Sequence, residues 1–398
     1  MLIVVGLSIK NLEPRVWDAQ SPYYLPRVRA VMVSYAEFHR MPTRRLAAMD
    51  RGLHAYLGVP GSIKIYLDNG AFYFLTHNGE VSKKDYEEFV ARARPDWWPI
   101  PQDYIPGPQM SVEEQERCLE KTMAMNLAYQ ADGYVPVIHI SRVLDRYIME
   151  AQAMSAMTNK THIGLGGIVP NLLRAPKAMP YQHILDGLVQ VRHLFKGKEL
   201  HLFGVGGTAT LHLAELLEID SIDSSGWRNR AARGIVQLPG SGDRAVANLG
   251  NWRGRTPSQD EWEILRTCNC PACRLSGLDG LIASGLAGFC NRATHNLSVL
   301  LEEEVAVRVR LMDGSYSSWY ADHLDNSICL TLVQQALARR LQTRESLDLG
   351  DLFARTEPVL MAHSSATALL GHRPQVGKVS LDIGHMRADD DALCEPQA

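Results

Sequence analysis

Eight short apolar, β-rich runs recur along the first 226 residues with helical segments between several of them, and this rhythm constrains the fold more than any other feature. The runs are "LIVVGLSI" (2–9), "AVMVSY" (30–35), "IKIYLDNG" (63–70), "DWWPIP" (96–101), "YVPVIHI" (134–140), "HIGLGGI" (162–168), "ELHLFGV" (199–205) and "SIDSSG" (221–226). Amphipathic helical patterns cover 111–130, 142–157, 181–195 and 208–218. Strands that alternate with helices are parallel and joined by crossovers. Eight of them predict an α/β fold, a closed (β/α)8 TIM barrel, whereas an open doubly wound sheet, the alternative, usually has fewer.

The 398 residues are enough for two average domains or for one barrel with insertions. A composition of 46% hydrophobic and 21% charged residues can bury a large core. The net charge of -3 gives no global attraction to a polyanion, so any nucleic-acid contact must use a local basic patch. No apolar run reaches the roughly 18–20 residues of a membrane span. The start, "MLIVVGLSIKN", reads as a first strand rather than a signal peptide. Seven cysteines, three of them within six positions, fit a reduced compartment and a metal site better than a disulfide framework. A cytoplasmic protein with no membrane partner is expected.

After residue 234 the rhythm stops. Residues 235–267 read as loop, followed by a cysteine cluster, one long helical stretch around 278–304 and a second helix at 323–343; from about 372 the chain is acidic and aperiodic. The expected organisation is a catalytic barrel over 1–250, a zinc-binding subdomain with packed helices over 251–345, and a C-terminal extension over 346–398. "TCNCPACR" supplies Cys268, Cys270 and Cys273, and "ATHNLS" supplies His295. Three thiolates on a tight knuckle plus one imidazole returning from a helix make a closed tetrahedral shell for one structural Zn2+ per chain. Cys290 is the other candidate fourth ligand. On one helix, 290 and 295 point about 140° apart, which favours His295.

In a barrel, chemistry is carried at the C-terminal ends of the strands. Here those ends hold Asp68, Asp103, His139, Gly166, Gly167, Phe203, Gly204, Gly206 and Asp223. Two carboxylates at one mouth suit acid/base or nucleophilic work at a glycosidic bond. Glycines, Gly204 among them, let a backbone approach a flat ligand closely. Each signal alone has a plainer reading: a helix N-cap for Asp68 or Asp223, a structural histidine for His139, a phosphate cradle for "GVGG". Their common rim is what joins them.

These residues resemble the queuine/archaeosine tRNA-guanine transglycosylase superfamily over about 60–300. "DNGAF", "GLGGIVP", "FGVGG", "DSIDSSGWRNRAARG" and "CNCPACR" with a downstream "HN" follow the order of that family's motifs. The resemblance implies that Asp223 attacks C1′ of the target nucleoside and that Asp68 is the general acid/base. It implies that Asp103 and His139 read the base, His139 standing where the family often has glutamine. Gly166, Gly167 and Ile168 would present backbone groups to the base edge, and Phe72 and Phe203 would sandwich it.

The chain departs from the bacterial tRNA enzymes after its nucleophile, where "GWRNRAAR" replaces their anticodon-reading loop. Between 226 and 255 lie Arg228, Arg230, Arg233, Arg244, Arg253 and Arg255 against one acid, Asp243, with Trp227 and Trp252 interleaved. Arginines for phosphates and aromatics for bases suit single-stranded or opened nucleic acid, with Trp227, Arg228, Arg230, Arg233, Arg253 and Arg255 as its expected contacts. The overall pattern is most similar to the DpdA branch, which inserts 7-cyano-7-deazaguanine (preQ0) into DNA. DNA is therefore the expected polymer, with tRNA as the alternative and a noncatalytic binding subunit as a further one. The free 7-deazaguanine base is the second partner. A helper protein that opens DNA and a homodimer are compatible with the sequence.

Overall fold

The computed structural model describes residues 1–130, 133–172, 175–249, 254–324 and 327–345. Among these residues eleven strands run in chain order: β1 (Leu2–Gly6), β2 (Ala30–Ser34), β3 (Lys64–Asp68), β4 (Trp98–Pro99), β5 (Tyr134–Val135), β6 (Val137–His139), β7 (His162–Gly166), β8 (Glu199–Leu202), β9 (Ser221–Ser224), β10 (Ile235–Gln237) and β11 (Asp243–Ala245). Seven of them form one parallel sheet in the order β3-β2-β1-β9-β8-β7-β6. Pro136, which has no N–H to give a ladder, separates β5 from β6 within a single extended run. β4 pairs with β5, and the Leu67 N–H donates to Trp97 O across the gap between β3 and β4 (2.8 Å). The ring thus closes, and all eight strands expected from the sequence take part.

The pleat gives this ring an inside and an outside. Val4, Ala30, Met32, Tyr66, Trp97 and Val135 pack together within it, with Phe203 against them. Their alternates, including Ile3, Val5, Val31, Val33, Ile65, Leu67, Ile163, Leu165, Leu200 and Ile222, face the surrounding helices in the main core. At the C-terminal ends the same alternation turns polar residues inward, and that is where a site can form.

Several expectations beyond residue 234 are corrected. The segment 235–267 is not all loop: β10 and β11 form an antiparallel hairpin, and a helix spans Gln259–Arg266 with a reciprocal Ser258–Glu261 capping box. The stretch 278–304 is not one helix. It divides into Pro271–Ile282 and Gly285–Met312. Arg292, 1% exposed, donates to the carbonyls of Leu281 and Ala283 (2.7 Å each), so a cation of the second helix caps the end of the first. The helix expected at 323–343 is present as Ser327–Glu345, and a short helix not expected from the sequence, Tyr316–His323, precedes it. Residues 346–398, with the expected extension, lie outside the described residues. No helix among the described residues is long and apolar enough to cross a membrane.

The helix Gly285–Met312 is buried along most of its length and ties the barrel to everything after it. Asn296 accepts from the Gln237 N–H (2.8 Å) and donates to Ile235 O (3.0 Å) and Trp227 O (3.2 Å), fixing the hairpin and the barrel's last helix to one side chain. Two turns on, Glu303 Oε1 is contacted by His212 Nε2 (2.8 Å) and His323 Nε2 (2.7 Å), and Oε2 accepts from the Gly240 N–H (3.2 Å). These partners hold the Glu303 carboxyl below its ordinary range despite burial. A depressed carboxyl adds stability above its unfolded pKa and loses it as pH falls. Glu303→Gln is expected to be destabilised by roughly 2 kcal/mol at neutral pH. Urea unfolding across pH should show that deficit narrowing only as pH falls below the ordinary carboxyl range, towards the depressed value of Glu303; a pH-independent deficit would exclude the ionised carboxylate.

Candidate active site and metal cluster

Asp68, ending β3, and Asp223, on β9, both fall on the inward register of the barrel. Asp68 Oδ2 accepts from Ser34 Oγ (2.7 Å) and from the Gly70 N–H (3.1 Å). Burial nonetheless pushes its pKa up to about 6; Ser34 and Gly70 oppose the rise, and the negative charges of Asp223 and Asp103 add to it. Asp223 Oδ1 accepts from the Gly204 N–H at 2.6 Å. Gly204 sits at φ +74°, a left-handed conformation that glycine adopts without strain and that aims its N–H back at β9. "FGVGG" is therefore a cradle for a side chain of the protein itself, because the Gly204 donor is already engaged. Gly206 serves the same junction: a Cβ there would collide with Ser224, whose hydroxyl donates to Gly206 O (2.8 Å).

The structure brings Asp103 and His139 together at the same mouth. His139 Nε2 lies 3.1 Å from Asp103 Oδ2. Both ring nitrogens of His139, in a side chain 1% exposed, lack an aligned hydrogen bond. Buried imidazole nitrogens without partners are expensive unless a ligand engages them. Gly166 makes room for this ring, since a Cβ at 166 would sit 2.6 Å from His139 Nδ1. Gly167 is also left-handed, at φ +78°. The Ile168 side chain is 1% exposed in the outer core, so it can offer a ligand only backbone.

Phe203 is half-buried on the inward side of the barrel, in space left by Gly164. Phe72 is 62% exposed on the helix Ala71–Thr76 that follows Asp68.

Sequence reasoning missed two residues here. Asn69, 3% exposed, donates to Asp103 Oδ1 (2.8 Å) and Ile100 O (2.9 Å) and accepts from the Ala71 N–H (2.9 Å), so it positions Asp103 from the neighbouring strand end. Its place between two motif residues was the only signal. The second is His201, two positions before Phe203, whose Nε2 lies 3.5 Å from Asp223 Oδ1.

The arginine–tryptophan segment is corrected at Trp227 and Arg228, which are buried. Trp227 is 0% exposed, and its indole N–H donates to Gly6 O (3.1 Å); no base can stack on it there. Arg228 is buried too, donating to Glu13 O (2.6 Å) and Asn11 O (2.7 Å), with its guanidinium near the rings of Trp227 and Phe289. Arg230 pairs with Asp243 (2.6 Å). Arg244 and Arg255 both reach Glu261 (2.6 and 3.2 Å) and hold its carboxyl down at about 2. Counted on to 261, the six arginines face three acids, Asp243, Asp260 and Glu261, so the basic excess is smaller than the count to 255 suggests. Arg233 is exposed, and Trp252 and Arg253 lie outside the described residues.

Cys268, Cys270, Cys273 and His295 form a cluster that could hold one metal ion. His295 Nδ1 lies 3.4, 3.9 and 3.4 Å from the Sγ atoms of Cys268, Cys270 and Cys273. Its Nε2 lies 3.0 Å from Gln237 O, which leaves Nδ1 as the ligating atom and orients the ring. Cys290 is buried apart from this group, in line with the choice of His295 over it.

No protein-family model matches the chain. Among curated proteins it is similar to a tRNA-guanine(15) transglycosylase of Pyrococcus abyssi, 27% identical over 286 residues that cover 68% of this chain and 43% of the relative. The enzyme of that name from Thermococcus onnurineus is 26% identical, covering 59% and 37%, and that from Aeropyrum pernix is 24% identical, covering 67% and 49%. These likenesses support the tRNA-guanine transglycosylase superfamily. The chain spans less than half the length of these relatives.

Because Arg228 is built into the fold, Arg228→Ala is expected to lower stability by about 2–4 kcal/mol, two charge-assisted hydrogen bonds being lost. Urea unfolding measures this. An unchanged unfolding midpoint would show that these bonds do not hold the fold.

Proposed function

We propose that this chain is a base-exchange transglycosylase that replaces a guanine of a nucleic acid with a 7-deazaguanine base such as preQ0, through a covalent glycosyl-enzyme. The observation that carries the reading is Asp223, held by Gly204 in the same barrel mouth as a carboxyl whose pKa is raised to about 6. Asp223 attacks C1′ as the C1′–N9 bond breaks, capturing the oxocarbenium-like centre. Asp68, part-protonated near neutrality, gives a proton to the departing guanine. It then takes one from N9 of the incoming base, whose attack on C1′ returns the electron pair to Asp223. Phe203 and Phe72 hold the heterocycle between them, and Asp103 and His139 read its edge. A base inside a duplex is out of reach of such a pocket and must first be flipped out or single-stranded.

For the polymer, the observations favour tRNA over DNA. The three relatives are named for tRNA, and two of the residues that argued for DNA, Trp227 and Arg228, are buried in contacts within the protein. The DpdA-like reading rests on motif variants alone. A noncatalytic role on the same fold is disfavoured by the presence of both Asp68 and Asp223 in one mouth.

The Cys3His cluster fits zinc: its donors are soft thiolates with one imidazole oriented from behind, and four protein ligands leave no open position. Bound there, zinc would cross-link the cysteine knuckle to the helix Gly285–Met312 and take no part in the chemistry. Metal analysis of purified protein should find one zinc per chain, and Cys270→Ala should lose it and unfold more readily. Substoichiometric zinc with Cys270→Ala equally stable would overturn the assignment.

Incubation with labelled preQ0 and either tRNA or pre-opened DNA, followed by digestion to nucleosides, tests the function and its polymer. Label is expected in tRNA, with Asp223→Ala slower by on the order of 10⁴ or more. Guanine release should slow as pH rises above about 6, where Asp68 loses its proton. Label in DNA alone would reverse the polymer choice, and label in neither would overturn the activity.

A further inference from the structure

We infer that His201 positions the nucleophile: its imidazole, with a proton on Nε2, donates to Asp223 Oδ1 and leaves Oδ2 as the attacking atom. The inference rests on the transglycosylase reading for its kinetic consequences, but the hydrogen bond can be tested without it. His201 lies on β8, where Leu200 and Leu202 face the outer core, so the alternation sends its side chain into the barrel. It is 2% exposed. Its ring is hemmed in by Trp97, Tyr66 and Phe203, with centroids at 5.0, 5.6 and 4.8 Å, and cannot swing away.

The two nitrogens meet different groups. Nδ1 lies 2.9 Å from Ser221 Oγ, and Nε2 lies 3.5 Å from Asp223 Oδ1 with no hydrogen bond of its own. A hydroxyl can donate or accept, whereas a carboxylate can only accept. Asp223 therefore selects the tautomer: Ser221 donates to Nδ1, and the proton resides on Nε2, facing the carboxylate. A small shift of Asp223 towards the ring closes the remaining gap, as apo catalytic contacts commonly do on ligand binding.

Gly204 N–H and His201 Nε2–H then converge on one oxygen, Oδ1. When Oδ2 bonds to C1′, Oδ1 becomes the ester carbonyl. When N9 of the incoming base displaces the ester, the Oδ2–C1′ bond breaks and the electron pair returns to the carboxylate, where both donors stabilise it. Loss of the His201 donor should therefore slow base entry most, and the covalent adduct should accumulate.

The test compares His201→Phe, which keeps a ring but no donor, with His201→Gln, whose amide nitrogen falls near the position of Nε2. In full-length protein His201→Phe is expected to lower kcat for exchange about 10- to 100-fold. KM for free preQ0 should stay within about twofold, the steady-state fraction of adduct should rise, and His201→Gln should recover most of the rate. Equal impairment of both variants, a loss confined to KM, or wild-type kcat in His201→Phe would overturn the inference. NMR of protein carrying isotope-labelled histidine supplies a readout independent of activity and of the folding of these variants. The His201 resonances should report the Nε2–H tautomer and move in Asp223→Asn. An Nδ1–H tautomer would sink the inference, even if the wild type exchanges bases, and failure of exchange alone would sink only the function.

Discussion

The side-chain alternation of a parallel strand is the constraint on which the rest depends. In a closed ring every second residue must enter the interior, and an interior only eight strands round is filled by the side chains themselves. Tyr66, Trp97 and His201 fill it beneath Phe203, and a polar layer of Asp68, Asp103, His139 and Asp223 lies at the C-terminal ends. The register that buries the rings also aims the carboxylates into one mouth. A slip of one residue in any of these strands would send its polar group into the apolar layer outside.

Glycines make this crowded mouth possible, each through a specific neighbour. Without Gly166 there is no space for the His139 ring, and without Gly164 none for Phe203. Gly204 supplies both a left-handed backbone and the N–H that anchors Asp223. Burial at the same mouth raises the Asp68 pKa, so the packing that builds the site also tunes one of its protons.

The second organising element is the helix Gly285–Met312, whose polar residues act as keys along its length. Arg292 caps the helix before it, His295 faces the cysteines, Asn296 holds the hairpin and the last barrel helix, and Glu303 gathers two histidines. Each is almost fully buried with its polar atoms engaged, a condition under which buried polar groups specify one arrangement rather than many. The cysteine cluster is thereby joined to the β10–β11 hairpin through the carbonyl of Gln237, which His295 contacts from the face away from the thiolates.

The sequence by itself determined the eight strands, their order, the inward aspartates and the spacing of three cysteines with a histidine, because strand periodicity and metal-ligand spacing are local properties of a chain. It also misled in an instructive way. Trp227 and Arg228 follow Asp223 closely and look like an exposed basic loop, yet the fold gives Trp227 the Gly6 carbonyl and Arg228 those of Asn11 and Glu13, more than 200 positions away. Whether an arginine faces solvent or caps buried carbonyls depends on partners that only chain folding brings near. His201 is the converse case: in sequence it is one residue of an ordinary strand, and only the curl of β8 against β9 sets its unpartnered nitrogen beside Asp223. Local spacing could place the carboxylates at the mouth; which neighbours would hold them was decided by tertiary packing, because those contacts are set by distance in space and leave no period in the sequence.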